Sequence, residues 1–201
     1  EQLAPSQGCA VVLKLDEHNN PNGEGITRTA FSGVDAAIEF STPHTVVSNI
    51  EGLAAIGVNT VVGTTGWAAE IPRVKAAIEQ AGTGLIWSPN FSIGVNVYFR
   101  LVSEAARLLA SQPDYGAWAW EIHHDTKKDA PSGTLLKLVD EMKAAGFERN
   151  VHVSSNRAGR HPGTHEIGFD SSADTITLRH TARSREGFAL GALQAAKWIR
   201  N

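Results

Sequence analysis

The sequence predicts an α/β protein with a doubly wound parallel sheet, followed by a smaller α+β domain with a mixed sheet. Up to about residue 91, short apolar runs alternate with helical segments. Such alternation is typical of parallel sheets with helices on both faces. Three runs with strand character then follow one another between residues 151 and 181 without an intervening helix, which indicates antiparallel or mixed pairing.

Hydrophobic periodicity and turn residues predict the elements of the first half. Residues 1–8 have the pattern of a helix end stopped by Gly8. Residues 11–15 form a short apolar run that is typical of a buried strand. A loop rich in asparagine, proline and glycine follows at residues 18–25. The other predicted elements are strands at 36–40, 58–62 and 85–87, a helix from Pro43 and a helix at 71–81.

The second half is predicted to begin with a helix over residues 97–109. Four apolar residues lie on one stripe of this helix and are expected to face the core: Val97, Leu101, Ala105 and Leu108. The inner face of the next helix is predicted to consist of Leu135, Leu138, Val139 and Met142. The remaining predicted elements are strands at 118–122, 151–154, 166–169 and 175–181 and a last helix at 187–199.

The bulk composition indicates a cytoplasmic protein that acts on small molecules. The net charge is −3 and the basic residues are dispersed, which argues against nucleic acid or an anionic membrane as a partner. Cys9 is the only cysteine, so an internal disulfide is excluded and a reducing compartment is expected. The sequence has neither an apolar stretch near the ~20 residues of a membrane span nor a signal-peptide pattern.

The strongest functional signal lies in residues 121–134, which read EIHHDTKKDAPSGT. One core and one surface histidine would be the simplest interpretation of His123 and His124. Neighbouring strand residues point to opposite faces, so both side chains can serve one site only where the strand ends. Here a loop begins directly after them, and Lys127 follows within that loop. Together with the helix start that comes next, this favours a functional pair.

The Pro-Ser-Gly-Thr helix start has a structural and a functional interpretation. Asp129 or Ser132 would cap the helix, with a proline close to its first turn. The backbone amides of Gly133 and Thr134, helped by the helix dipole, would hold a carboxylate. Imidazoles, a cation and these amides in one small volume suit an anionic substrate that is protonated during the reaction.

Loops after three predicted strands are expected to converge at one sheet edge, where ligands bind in such folds. Asp16 alone would be a solvated acid, but at the end of a strand it would bind a cofactor ribose and repel a 2′-phosphate. Glu17 reinforces that repulsion, so NADH is favoured over NADPH. The other loops would be plain turns or would approach a flat ligand closely. Their residues are Gly63, Thr64, Thr65 and Gly66, and Ser88, Pro89, Asn90 and Phe91.

Four further histidines raise the alternative of a metal-dependent hydrolase, which ranks last. These residues are His152, His161, His165 and His180. They lack the ligand spacing of zinc sites, and no cysteine cluster supports them. We therefore predict no metal site, and we expect His180 to pack on a strand face.

Taken together, the motifs resemble dihydrodipicolinate reductase, an enzyme family of lysine and diaminopimelate biosynthesis. Residues 121–134 carry the resemblance, together with the glycine-threonine loop at 63–66. Further motifs agree in the same order, at 90–96 (NFSIGVN), 162–164 (PGT) and 184–192 (SREGFALGA). The resemblance implies a Rossmann-like dinucleotide-binding domain at 1–91 and 186–201. It also implies a substrate-binding and oligomerisation domain at 92–185, and a homotetramer.

The resemblance also implies a role for each motif residue. His123 would be the general acid that protonates the substrate, and Lys127 would assist it and attract the dicarboxylate. His124 and the Ser132–Thr134 helix start would bind the substrate carboxylates. The loops at 63–65 and 88–91 would line the nicotinamide side of NADH or NADPH.

The family opens with a strand and a glycine-rich loop, and this chain begins after that loop, inside the expected following helix. We therefore expect an N-terminally truncated form that lacks the first strand and the main phosphate-binding amides. The alternative to an active reductase is a non-catalytic or cofactor-deficient homologue that retains the substrate domain.

Overall fold

The computed structural model describes residues 1–200 and divides the chain into two compact units. Unit 1 consists of Glu1–Phe91 together with the segment from Phe188, and unit 2 is Ser92–Gly187. The predicted domain boundaries fall after residues 91 and 185. The roles predicted for the two domains are taken up as proposals below.

The described residues contain seven strands and five α-helices. The strands are β1 (Ala37–Glu39), β2 (Thr60–Val62), β3 (Leu85–Trp87), β4 (Gly116–His123), β5 (Val151–Arg157), β6 (Thr164–Asp170) and β7 (Thr175–Thr181). The helices are α1 (Val46–Ala55), α2 (Ile71–Ala81), α3 (Ile93–Leu109), α4 (Gly133–Ala144) and α5 (Glu186–Ile199). Short 3-10 turns lie at Pro5–Gln7, Pro21–Gly23 and Ala68–Glu70.

Unit 1 is built on a parallel sheet in the order β1-β2-β3. Successive residues of β2 point to opposite faces. Val62 packs in a cluster with apolar residues of α1 and α2, whereas Val61 packs with Phe91 and Ala192 of α5. Helices therefore cover both faces of the sheet, which confirms the predicted doubly wound arrangement.

Unit 2 is built on a mixed sheet in the order β5-β4-β6-β7. Strand β4 pairs parallel with β5 and antiparallel with β6, and β7 pairs antiparallel with β6. Helices α3 and α4 pack on one face of this sheet, where Ala117 and Ala119 of β4 meet Ile167 and Phe169 of β6. All four residues predicted for the inner face of α4 are in this core. The predicted mixed sheet is confirmed.

The strand predicted at residues 11–15 is wrong. These residues have no regular secondary structure, and Val12 is 69% exposed. Among the described residues, β1 hydrogen-bonds only to β2, so the 11–15 segment has no strand beside it. A single strand cannot satisfy its backbone groups through a sheet. The helix end predicted at residues 1–8 is only the turn Pro5–Gln7, although Gly8 does end it in the left-handed conformation.

The prediction for α3 was wrong in its buried face and its start. Val97, Leu101 and Leu108 are each more than half exposed. The residues that α3 buries are Val95, Tyr98, Phe99, Val102 and Ala106. The helix has two apolar stripes, and periodicity alone does not choose between them. It also begins at Ile93, four residues before the predicted start, because the Ser92 hydroxyl accepts a hydrogen bond from the Val95 amide.

Candidate active site

Strand β4 carries two functional side chains into the interior of unit 2. Its odd-numbered residues from Ala117 to His123 are buried, and the even-numbered ones lie on the opposite face and are less buried. Glu121 is completely buried and His123 is 8% exposed. This alternation follows from the period of two residues in a strand. It places an acid and a histidine on one face of the sheet.

The Glu121 carboxylate is held by hydrogen bonds from two residues of different segments, Ser132 and Arg157. Its Oε1 accepts a hydrogen bond from the Ser132 amide at 2.9 Å and from Arg157 Nη2 at 2.8 Å. Its Oε2 accepts one from the Ser132 hydroxyl. Burial alone would raise the pKa of Glu121. The hydrogen bonds from the neighbouring imidazoles, Ser132 and Arg157 outweigh burial and lower it well below its ordinary value, so the group is ionised.

His123 shares this carboxylate with His165 of β6. The Nε2 atoms of the two imidazoles lie 3.2 Å apart, and each is 3.4 Å from Glu121 Oε2. The rings meet edge to face. Burial lowers the pKa of His165, and the charge of His123 acts in the same direction, so His165 is neutral at neutral pH.

The loop after β4 brings Lys127 and Asp129 together. Lys127 Nζ lies 2.6 Å from Asp129 Oδ1, and His124 Nδ1 lies 2.7 Å from the Thr126 hydroxyl. The Lys127 ammonium lowers the pKa of Asp129, and a backbone hydrogen bond from Gly133 adds to this. A carboxylate of the protein therefore lies against two of the groups predicted to bind the substrate.

Helix α4 begins at Gly133, with Ser132 as its N-cap. The Ser132 hydroxyl accepts a hydrogen bond from the Leu135 amide at 3.2 Å, as predicted for this helix start. Because its own amide and hydroxyl are both bound to Glu121, Ser132 ties the helix to β4. Its predicted contact with substrate stays a prediction. The amides of Gly133 and Thr134 lie in the first turn, where an anion is favoured.

Three residues of this site were not predicted as functional: Glu121, Arg157 and Gly163. A Cβ on Gly163 would lie 2.8 Å from His123 Cε1, so only glycine leaves room for the imidazole. Arg157 donates to Glu121 and to the Asp129 carbonyl oxygen, which links β5 to the loop. A signal for Glu121 exists in the sequence, since it lies two residues before His123 and therefore on the same strand face.

The carboxyl edge of the parallel sheet in unit 1 carries the predicted cofactor loops. Gly63 follows β2, and a Cβ there would clash with the Phe40 ring, which follows β1. The Phe40 ring also lies 6.1 Å from that of Phe91. The Thr64 hydroxyl donates to Glu39 Oε2 at 2.7 Å. Phe40 and Glu39, which contact the loop after β2, were not predicted from the sequence.

The segment that follows β3 is held by its own hydrogen bonds. The Ser88 hydroxyl donates to the Asn90 carbonyl oxygen at 2.7 Å and accepts from the Asn90 amide at 3.2 Å. The Ser88 amide donates to Val62 of β2 at 3.2 Å. Ligands bind at this edge in doubly wound folds, and a Rossmann-like unit of this kind fits a nucleotide cofactor.

Asp16 does not lie where its predicted role requires. It follows no strand, since residues 11–15 form none. Its carboxylate instead accepts hydrogen bonds from the backbone amides of His18 and Asn19, which lower its pKa. The proposed ribose contact has lost its geometric basis and stays a prediction.

Of the four histidines considered for a metal, only His165 lies close to Glu121 and His123. These three offer side-chain atoms within 4.8 Å of one another. The carboxylate accepts hydrogen bonds from Ser132 and Arg157, so the three groups belong to a hydrogen-bonded network that includes a guanidinium. His180 stacks on Tyr98, which is the packing role predicted for it.

The fold and site define an α/β oxidoreductase class, with a Rossmann-like unit and a separate α+β unit that carries a buried histidine. Two family profiles match the chain, "Dihydrodipicolinate reductase, N-terminus" over residues 7–91 and "Dihydrodipicolinate reductase, C-terminus" over residues 94–201. The chain belongs to the dihydrodipicolinate reductase family. Among the described residues, no helix is long and apolar enough to cross a membrane.

Relatives with curated names agree with this assignment. A 4-hydroxy-tetrahydrodipicolinate reductase from Christiangramia forsetii is 33% identical over 212 residues, which cover 100% of this chain and 87% of the relative. One from Methanosarcina barkeri is 37% identical over 183 residues, covering 84% of this chain and 68% of the relative. The solved structure of dipicolinate-bound dihydrodipicolinate reductase from Paenisporosarcina sp. TG-14 is similar with a TM-score of 0.67 at 26% identity. That comparison covers 83% of this chain and 70% of the other.

Proposed function

We propose that the protein is an NAD(P)H-dependent 4-hydroxy-tetrahydrodipicolinate reductase, which reduces dihydrodipicolinate to tetrahydrodipicolinate in lysine and diaminopimelate biosynthesis. The observation that carries this proposal is one strand-loop-helix segment of unit 2. It combines the buried His123 beside an ionised carboxylate, the Lys127 ammonium and the amide-rich start of α4. Membership of the family supports the substrate class.

In the proposed site, the substrate is a ring with two carboxylates. One carboxylate would bind the first-turn amides of α4 at Gly133 and Thr134, and Lys127 and His124 would supply charge and a hydrogen bond. Asp129 now lies against Lys127 and Gly133, so an incoming carboxylate competes with it. Charge-assisted hydrogen bonds of this kind are among the stronger ones in proteins.

His123 is the proposed proton donor, and Lys127 assists it. A bound reduced nicotinamide supplies a hydride to C4 of the unsaturated ring. His123 then gives its proton to the neighbouring carbon, where negative charge develops, and becomes a neutral imidazole. General acid assistance of this kind is typically worth about 10²–10⁴-fold in rate.

For the cofactor, the proposed contacts lie at the carboxyl edge of the sheet in unit 1. Gly63, Thr64 and Thr65 and residues 88–91 would line the nicotinamide side. The lack of a side chain at Gly63 leaves room for the Phe40 ring, so an aromatic ring lies beside this loop. We propose NADH or NADPH as the cofactor, because the expected preference for NADH depends on Asp16 lying at a strand end, and residues 11–15 form no strand. Titration calorimetry with NADH and NADPH in parallel compares the two directly.

We further propose that the protein is cytoplasmic, binds no nucleic acid, and forms a homotetramer through residues 92–185. The support for the oligomer is the second face of the mixed sheet. Both helices of unit 2 pack on the face of Ala117 and Ala119, while Trp118, Trp120 and Ile122 lie on the other. Sedimentation equilibrium tests the tetramer, and a monomer at micromolar concentration would contradict it.

The decisive experiment for the proposed function is a reductase assay with freshly prepared dihydrodipicolinate, following the loss of NADH absorbance. The substrate should be consumed in proportion to the protein added. His152, an exposed histidine on β5, provides a matched control: His152→Gln should keep the wild-type rate. No NADH oxidation by a folded wild-type chain would overturn the proposal. The alternative of a non-catalytic homologue is not favoured, because both family profiles match and the motif residues are present.

A further inference from the structure

Three buried side chains of unit 2 meet at the Nε2 atom of His123. This atom lies 3.2 Å from His165 Nε2 and 3.4 Å from Glu121 Oε2. His165 Nε2 is 3.4 Å from the same oxygen. Because Nε2 of His123 faces these two groups, Nδ1 is the ring nitrogen left for a reacting molecule.

The Glu121 carboxylate lies beside the inward-facing edge of the His123 ring. Its Oε2 atom is 3.4 Å from His123 Nε2, and a carboxylate is a strong acceptor for a ring N–H. Glu121 is ionised because hydrogen bonds from the imidazoles, Ser132 and Arg157 lower its pKa despite complete burial. Oε1 is occupied by Arg157 and the Ser132 amide, so Oε2 is the atom that faces the imidazoles.

His165 does not compete with His123 for the proton. Burial lowers the pKa of His165, and its Nδ1 atom is buried without a hydrogen-bond partner in the described part of the chain. The other charged or titratable groups around the pair are Arg157 on β5, Lys127 in the loop after β4, and His180 on β7. The first two are cations that oppose a second positive charge. The neutral His165 can therefore accept a hydrogen bond from His123 Nε2.

We propose that Glu121 and His165 are positioning residues for His123, which hold its Nε2 atom inward, so that Nδ1 donates the proton. In each turnover His123 would lose one proton to the substrate carbon and regain it from solvent, while Glu121 stays ionised throughout. The kinetic part of this inference rests on the proposed function, whereas the orientation of the His123 ring does not.

The orientation of the His123 ring is tested by nuclear magnetic resonance with ¹⁵N-labelled imidazoles, without any assay of activity. The signals of His123 are assigned by their loss in His123→Gln. Because Glu121 and His165 lie beside Nε2, Glu121→Gln should move the Nε2 signal of His123 more than its Nδ1 signal. The matched control is Glu166→Gln, which neutralises a carboxylate on β6 that pairs with Arg179 instead and should move neither signal. Unchanged His123 signals in Glu121→Gln would overturn the proposal.

The positioning role of His165 is tested by comparing His165→Gln with His165→Leu. Glutamine keeps a hydrogen-bond acceptor beside His123 Nε2, whereas leucine only fills space. We expect His165→Leu to lower kcat about tenfold with little change in KM, as one lost hydrogen bond implies, and His165→Gln to recover most of that loss. Equal kcat in the two variants would show a packing role only. If Glu121→Gln does not fold, the comparison of His165→Leu with His165→Gln still tests the proposal.

Kinetics separate this inference from the proposed function. Because the ring must be held for Nδ1 to donate, Glu121→Gln should lower kcat with little change in KM, whereas Glu166→Gln should change neither. An active wild type whose kcat is unchanged in Glu121→Gln contradicts the inference alone. An inactive wild type contradicts the proposed function, and the magnetic resonance spectra then still decide whether Glu121 positions His123.

Discussion

Gly163 lies directly beside the imidazole of His123. A Cβ at position 163 would be 2.8 Å from Cε1 and 3.1 Å from Nδ1 of that ring. Gly163 also has a φ of +142°, which residues with side chains rarely adopt. The absence of a side chain at this position therefore sets the place of the proposed proton donor.

Gly163→Ala is expected to displace the His123 ring and to lower kcat by about 10- to 100-fold, since a shift near 1 Å at a reacting group costs on the order of 10²-fold. Steady-state kinetics with dihydrodipicolinate measure this. Gly159→Ala is the matched control, because it also has a positive φ but nothing lies within 4 Å of its Cβ position. Equal losses in the two variants would point to backbone strain rather than contact with His123.

Lys127→Ala should damage both kcat and KM. The change removes a cation from the proposed carboxylate site and leaves Asp129 without its 2.6 Å partner. Charged hydrogen bonds contribute about 1.5–3 kcal/mol, so kcat/KM should fall by roughly 10- to 150-fold. The neighbouring exposed Lys128 supplies the control. If Lys128→Ala lowers kcat/KM as much as Lys127→Ala does, the specific role of Lys127 is wrong.

Acid should destabilise the protein in two stages. The folded pKa of His165 lies below its ordinary value of 6.5 because of burial. The unfolded chain therefore binds this proton first, and stability falls as the pH drops below about 6.5. Glu121 also has a lowered pKa, so its contribution is complete above its ordinary value of 4.5 and is lost below it. Urea unfolding at a series of pH values measures the free energy of unfolding in both stages. In His165→Gln, this free energy should depend less on pH in the upper stage. An unchanged slope between about pH 6.5 and 5 in that variant would contradict the assignment.

Thr64→Val should weaken NADH binding about 3- to 10-fold, because it removes the hydrogen bond from Thr64 to Glu39 that holds the loop after β2. Calorimetric titration with NADH measures the affinity. Thr83→Val is a suitable control, since the hydroxyl of Thr83 is buried in unit 1 and has no hydrogen-bond partner among the described residues. Equal NADH affinity in wild type and Thr64→Val would remove this loop from the proposed cofactor site.

The sequence predicts a helix or strand correctly where the apolar period and the flanking turn residues alone set its limits. The bounds of α2, β3 and β7 agree with the prediction, because each has a clear apolar period and is bounded by turn or breaker residues. The cap at Ser132 was equally local. The strand at 11–15 failed because a strand requires a neighbour, and its hydrophobic run says nothing about whether one is present. The buried face of α3 failed because the helix carries two apolar stripes.

The site was predictable in its motif but not in its network. His123, Lys127 and the start of α4 fall within one short segment, so their proximity follows from sequence order. The partners of His123 come from elsewhere, with His165 on β6 and Arg157 on β5. Their approach depends on the pairing of β4 with its two neighbours, a non-local arrangement that no spacing in the sequence encodes.

His123→Gln tests the central claim most directly. With NADH and freshly prepared dihydrodipicolinate, kcat should fall by about 10²–10⁴-fold, while the affinity for NADH in calorimetry stays at the wild-type value. A His123→Gln protein that reduces dihydrodipicolinate at the wild-type rate would show that this imidazole is not the proton donor.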